Sequence, residues 1–259
     1  MMRLAGKRLV VTGATGIAEA SARRAADEGA SVFVVSIDEG ECGGLVDSIR
    51  SRDGQAAFSV ADLRNDAEAE TAFSDAADSM GGIDGVLAVA GGSGRKFGDG
   101  PLGQLSLEAW TRTLELNATT AFLSAREGVR HMSERGGSVV LISSVLARHP
   151  SDLFTTHAYA AAKGSIEVLA RSAAAHYSSR GVRFNAIAPG LVQTPMSERA
   201  ASDPATIAYA RQKQPLAGGM IDAAAVADAA VFFLSDESSQ CTGQILEVDG
   251  GWGITEAVR

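Results

Sequence analysis

The chain has little sulfur and little that would hold a metal. Its 259 residues include two cysteines, Cys42 and Cys241, at a separation that matches no zinc pattern. Two free thiols in a reducing compartment are the expectation. Four histidines, His131, His149, His157 and His176, lack paired ligand spacing, so no metal is expected. Excess positive charge is also missing: 23 Lys and Arg stand against 31 Asp and Glu, a formal net charge of −8. Such a chain gains nothing from counterion release on nucleic acid, and an anionic membrane surface repels it. No apolar run approaches the roughly 20 residues a bilayer needs. Met1–Ala5 is too short for a signal peptide ahead of the first strand. These absences imply a soluble, cytoplasmic protein with a small-molecule ligand. No linker composition and no repeat interrupts the chain, so one domain is expected over 1–259. A cofactor half would cover about 1–150 and a catalytic and substrate half about 151–259.

What is abundant is alternation. Runs rich in Val, Ile and Ala at Arg8–Thr12, Val32–Val35, Ala57–Val60, Gly85–Val89, Ser138–Ile142, Arg183–Ile187 and Ile245–Val248 read as strands buried on both faces. Between them, Ala18–Glu28, Asp66–Met80, Leu107–Glu134, Tyr159–Ser179 and Ala223–Leu234 read as helices, the last capped by Asp222. Strand–helix alternation predicts an α/β fold. It would be a doubly wound, Rossmann-type parallel sheet of seven strands with helices on both faces and ligands beyond the strands' carboxyl ends.

The first strand runs into Thr12-Gly13-Ala14-Thr15-Gly16-Ile17-Ala18 and then directly into a helix. Glycines in such a turn permit tight backbone angles, and the helix N-terminus attracts a pyrophosphate. A merely tight connection would look the same. The second strand ends in Ser36-Ile37-Asp38, where an acid would read a ribose 2′-hydroxyl and an Arg a 2′-phosphate. Asp38 would repel a 2′-phosphate, which favours NAD over NADP; Asp38 as the cap of the next helix is the competing reading.

The sharpest chemical signal is Tyr159-Ala160-Ala161-Ala162-Lys163. Positions i and i+4 share a helix face, so phenol and ammonium point the same way. A free tyrosine has a pKa near 10, and a nearby cation is expected to lower it towards a useful acid/base. Ser143 and Ser144 end the preceding strand, where a hydroxyl could hold a substrate oxygen.

In this order and spacing the motifs resemble the short-chain dehydrogenase/reductase family over essentially the whole chain. They are the turn Thr12–Gly16, Asp62-Leu63, Ala90-Gly91, Leu116-Asn117-Ala118, Ser144, Tyr159 with Lys163, Asn185-Ala186-Ile187-Ala188-Pro189-Gly190, Thr194-Pro195-Met196 and Asp249-Gly250-Gly251. The resemblance implies an NAD(P)-dependent oxidoreductase that interconverts a small alcohol and ketone. Tyr159 would be the general acid/base, and Lys163 would lower its pKa and hold the nicotinamide ribose. Ser144 would orient the substrate oxygen, and Asn117 would anchor a water chain from Lys163 to solvent. Cofactor contacts would come from Gly13, Thr15, Gly16, Ile17, Ser36, Asp38, Asp62, Leu63, Ala90, Gly91, Ile187, Pro189, Gly190, Val192 and Thr194. Asp62 would bond the adenine amino group, while Ala90 and Gly91 would let the cofactor pass closely.

The chain departs from the family pattern in places. Two residues rather than three separate Gly13 from Gly16, and Ala18 replaces the third glycine, so the turn is tighter and helix–strand packing must accept a methyl group. Ala88-Val89-Ala90-Gly91 lacks two polar side chains that the family usually has. The Ser144–Tyr159 interval is slightly long, so Arg148–His157 would extend over the site, with His149 and His157 at its edge. Gly91–Gly100 would border the site, and Leu191–Gln214, with Met196, Arg199, Tyr209 and Arg211, would cover substrate. The alanine-rich helix from Tyr159 would serve as core or as an interface, and by analogy a homotetramer or homodimer is expected. Two other functions remain open: an epimerase or dehydratase that retains its nicotinamide, and a non-catalytic cofactor-sensing protein.

Overall fold

Strand β1 (Arg8–Thr12) lies at the centre of the molecule because its side chains have nowhere polar to go: Leu9, Val10, Val11 and Thr12 are all fully buried. It pairs in parallel with β2 (Ser31–Ser36) on one side and β4 (Gly85–Ala88) on the other. The computed structural model describes residues 2–256; Met1 and 257–259, which the expected signal-peptide and domain spans include, lie outside them. With β3 (Gln55–Val60), β5 (Gly137–Ile142), β6 (Val182–Pro189) and β7 (Ile245–Val248), the sheet has seven strands in the order β3-β2-β1-β4-β5-β6-β7, all parallel. The chain winds outward from β1 to β3 and then restarts on the opposite side at β4. The crevice between β1 and β4 is therefore the place where such sheets hold ligands.

Helices cover both faces. On one side α1 (Ile17–Asp27), α2 (Glu39–Arg50) and α9 (Ala223–Leu234) pack on Leu9, Val11, Val32 and Val34. On the other, α3 (Asp66–Met80), α5 (Thr120–His131) and α6 (His157–Tyr177) pack on Val10, Phe33, Val86 and Val139. Odd and even positions of each strand thus serve different layers, which explains the continuous apolar runs. Asp222 caps α9 as expected, accepting from the Ala224 N–H at 2.8 Å. None of the described helices is long and apolar enough to cross a membrane.

One expectation needs correction, and one segment gains detail. The span Leu107–Glu134 is not one helix: α4 (Leu107–Leu114) gives way to a π turn at Glu115–Thr119 before α5 begins. The covering segment Leu191–Gln214 contains two helices, α7 (Glu198–Ala201) and α8 (Pro204–Lys213), which its mixed polarity had hidden.

Thr12 ties the central strands together at the ligand end. Its Oγ1 accepts from the Val89 and Ala90 N–H groups at 3.0 and 3.1 Å, so one buried hydroxyl shapes the turn after β4. Thr12→Val keeps the volume but leaves two buried donors without an acceptor. The variant is expected to lose about 1–3 kcal/mol of stability, read as a lowered urea midpoint; an unchanged midpoint would contradict this role.

Candidate active site

Beyond the carboxyl ends of the strands lies a cleft of about 860 Å³. Its floor at the β1 end is the glycine turn. Gly13 has φ +92° and Gly16 φ +58°, the left-handed region where glycine is at home. A Cβ on Gly16 would sit 2.8 Å from Thr194 Cγ2, and one on Gly13 would sit 3.2 Å from Ala18 Cβ. The methyl group that replaces the family's third glycine is accommodated because position 13 has no side chain. No side chain caps α1; the Ala18 N–H bonds the Thr15 carbonyl at 3.2 Å, and the positive dipole end of the helix is left for an anion. Across the cleft, a Cβ on Gly91 would lie 2.7 Å from Asn117 Oδ1, so the wall there must be bare backbone.

The far half of the cleft holds the chemical groups. Ser144 follows β5 and is buried; its Oγ accepts from the Leu146 N–H at 3.2 Å. Tyr159, half-buried, lies in the first turn of α6. Lys163, one turn on, is 4% exposed, with Nζ donating to the Ile142 carbonyl at 2.9 Å and lying 5.6 Å from the Tyr159 ring centre. Burial lowers the Lys163 pKa to about 8. Burial also raises the Tyr159 hydroxyl above its ordinary value, offset in part by an interaction with Ser144. Against the expected lowering by Lys163, desolvation sets the direction of the Tyr159 pKa, and the ammonium is held by a backbone carbonyl.

Nearly every expected site residue lines this one cleft: Gly13, Thr15, Gly16, Ile17, Ser36, Asp62, Leu63, Ala90, Gly91, Ser144, Tyr159, Lys163, Pro189, Gly190, Val192 and Thr194. Two do not. Asp38 caps α2, accepting from the Glu41 N–H at 2.9 Å, and Glu41 takes its place in the wall. Asn117 is fully buried behind the wall in the π turn. Its Nδ2 donates to the carbonyls of Gly92 (3.0 Å) and Thr113 (2.9 Å), and its Oδ1 accepts from the Gly92 N–H at 3.2 Å. Two of these bonds shape the loop after β4 and the third holds the end of α4. Asp62 is gripped by Arg64, whose hydrogen bonds and charge hold its carboxyl below the usual range. His149 bonds Glu247 at 3.2 Å, and His157 is exposed; neither lines the cleft.

Sequence reasoning missed three residues that shape the site. Asp99, 6% exposed, accepts from the Ala158 N–H at 3.0 Å and from the Tyr159 N–H at 2.9 Å. It caps α6 from a distant loop, where the local cap Thr156 offers no side-chain bond. Gln214, fully buried, receives the Leu191 N–H at 2.5 Å and donates to the Leu191 and Gly219 carbonyls, fixing the turn after β6. Trp252 closes the substrate end with Phe154 and Tyr209, at ring separations of 6.0 and 5.5 Å.

This architecture has many counterparts. A family model described as enoyl-(acyl carrier protein) reductase matches residues 11–253. The chain is 32% identical to a 2,5-dichloro-2,5-cyclohexadiene-1,4-diol dehydrogenase of Sphingobium indicum, over 97% of this chain and 98% of that one. It is 35% identical to the cis-4-hydroxycyclohexanecarboxylate dehydrogenase of Sinomonas cyclohexanicum, over 94% and 95%. The chain belongs to the short-chain dehydrogenase/reductase family. A solved relative, the carveol dehydrogenase of Mycobacterium avium in complex with NAD, superposes with a TM-score of 0.90 at 27% identity, covering 97% of this chain and 99% of that one. Like its relatives, this short-chain dehydrogenase/reductase is a nicotinamide-dependent oxidoreductase acting on CH–OH groups. The side-chain-free cradle at Gly13, Gly16 and Gly91 fits such a dinucleotide.

Two measurements probe this geometry. Asp99→Ala is expected to lower turnover by about 10- to 100-fold, equivalent to about 1.4–3 kcal/mol, with cofactor affinity retained. Asp99→Asn, which keeps one acceptor, should recover most of the loss; equal activity in all three proteins would rule out the capping role. The depressed Lys163 pKa gives a pH signature. Between about pH 8 and 10.5 the unfolded chain holds a proton on Lys163 that the folded chain has released, so stability rises with pH in that window. Urea unfolding should show wild type gaining on Lys163→Met by up to a few kcal/mol across that range. A constant difference would contradict the buried ammonium.

Proposed function

We propose that this enzyme interconverts a secondary alcohol on a small ring and the corresponding ketone, with NAD preferred and Tyr159 as general acid/base. The observation that carries the reading is the convergence of Ser144, Tyr159 and Lys163 in one cleft with the glycine cradle. The relatives named above act on ring alcohols, and the apolar wall of Leu146, Phe154 and Met196 suits a carbocycle. The matching family model is described by a C=C reduction. A paired serine and tyrosine hydroxyl is better suited to polarising a C–O bond.

In oxidation, Ser144 donates a hydrogen bond to the substrate oxygen and Tyr159, ionised to its phenolate, takes the hydroxyl proton. A bound nicotinamide supplies the two-electron acceptor. Lys163 would hold the nicotinamide ribose, and its ammonium, near neutral pH, stabilises the phenolate that precedes this proton uptake. Asn117 sets the loop after β4 and, through its π turn, anchors the water route from Lys163. Gly13, Thr15, Gly16 and Ile17 take the pyrophosphate; Asp62 and Leu63 take the adenine. Pro189, Gly190, Val192 and Thr194 take the carboxamide side.

NAD is favoured because Ser36 and the acidic Glu41 line the ribose end, where a 2′-phosphate would be repelled. Arg64, the nearby cation, is already engaged by Asp62 at 2.5 Å. The whole chain acts as one domain: the cleft draws on both 1–150 and 151–259, so neither half functions alone. We place the enzyme in the cytoplasm as a homotetramer or homodimer, in keeping with the exposed Phe122 of α5 and Val168 of α6.

Tyr159→Phe should cut alcohol oxidation by about 10²–10⁴-fold while NAD, titrated by fluorescence, binds within about twofold of wild type. Wild-type turnover in this variant would remove Tyr159 from the mechanism.

A further inference from the structure

We infer that the substrate carries an anionic group, a carboxylate by preference, which Arg95 and Arg199 bind at the mouth of the cleft. This rests on the oxidoreductase reading of the site and adds a substrate class to it. Arg95 lies in the short turn Gly94–Phe97, four residues before Asp99. Since Asp99 bonds the N–H of Tyr159, this loop runs beside the acid/base and not beside the adenosine end. Arg199 lies in α7, three residues after Met196, and both residues line the cleft. The two guanidinium groups therefore approach the substrate end from separate segments.

Both are exposed, and Arg199 sits near enough to Asp203 for its charge to help lower that carboxyl's pKa. The neighbouring charges are already engaged. Lys96 lies over the Phe97 ring at 5.0 Å. Asp203 caps α8, accepting from the Ala205 N–H at 3.3 Å, the Thr206 N–H at 3.1 Å and the Thr206 hydroxyl at 2.5 Å. Arg95, Lys96 and Arg199 face the single acid Asp203 in this part of the cleft lining, so the substrate end is locally positive on a chain whose formal net charge is −8. A cleft that reverses the sign of its protein concentrates the field on a ligand of the opposite charge. Guanidinium forks match a carboxylate in two parallel bonds. The apolar wall beneath them, with Leu146, Phe154 and Trp252, leaves the ring of an alicyclic hydroxy acid in contact with hydrocarbon while its carboxylate stays at the wet rim.

The test needs no turnover, so it fails separately from the proposed reaction. Cyclohexanecarboxylate and its methyl ester are titrated calorimetrically into wild type and into Arg95→Gln/Arg199→Gln, each saturated with NAD. Wild type should bind the acid at least tenfold more tightly than the ester, and the double variant should narrow that ratio to about twofold. Raising the salt concentration should weaken the acid's binding and leave the ester's unaltered. Equal binding of acid and ester by wild type would overturn the inference. So would a double variant that keeps the preference for the acid while losing affinity for NAD, since the arginines would then serve the cofactor's phosphates.

Discussion

A lysine ammonium buried to 4% exposure is the condition on which the rest of this site depends. Removing such a charge from water is costly unless the protein supplies partners, and here the partner is the Ile142 carbonyl at the end of β5, 2.9 Å away. That single bond ties α6 to the strand that delivers Ser144. Neighbouring contacts reinforce it: the Ser143 hydroxyl lies 3.0 Å from both the Lys163 carbonyl and Glu167 Oε1, and Arg148 reaches Glu167 at 2.8 Å. From the other direction, Asp99 holds the first turn of α6 by its N–H groups. Tyr159 stands between these anchors. Its position follows from contacts made by its neighbours rather than from any strong contact of its own ring.

Much of this was legible in the residue order. β1 and β7 begin and end where the apolar runs do, because a strand buried on both faces must be apolar at every position. Tyr159 and Lys163 share a helix face because of their spacing, and the glycine turn marks the switch point because only glycine adopts its backbone angles. These signals are local, each confined to a few consecutive residues.

What escaped the sequence is the set of bonds that cross it. Asp99 and Tyr159 are joined across 60 positions, Gln214 and Leu191 across 23, and Asn117 and Gly92 across 25; no periodicity announces such pairs. The π turn at Glu115–Thr119 was hidden inside a helical pattern because one extra residue per turn barely disturbs the apolar stripe. The Asp38 side chain could equally serve a ribose or a helix, and the helix took it. The tyrosine's pKa was misjudged for a related reason: spacing shows that two side chains face the same way, but not that a backbone carbonyl stands ready to hold the cation.

The central claim is that this cleft moves a hydride between a carbinol carbon and a nicotinamide, with Tyr159 handling only the proton. Incubating the protein with NAD and a ring alcohol deuterated at the carbinol carbon, then reading both products by mass spectrometry, tests it directly. The account predicts that the deuterium appears on the reduced cofactor in an amount equal to the ketone formed. Deuterium retained in an inverted alcohol, or lost to solvent without reduced cofactor being released, would contradict it.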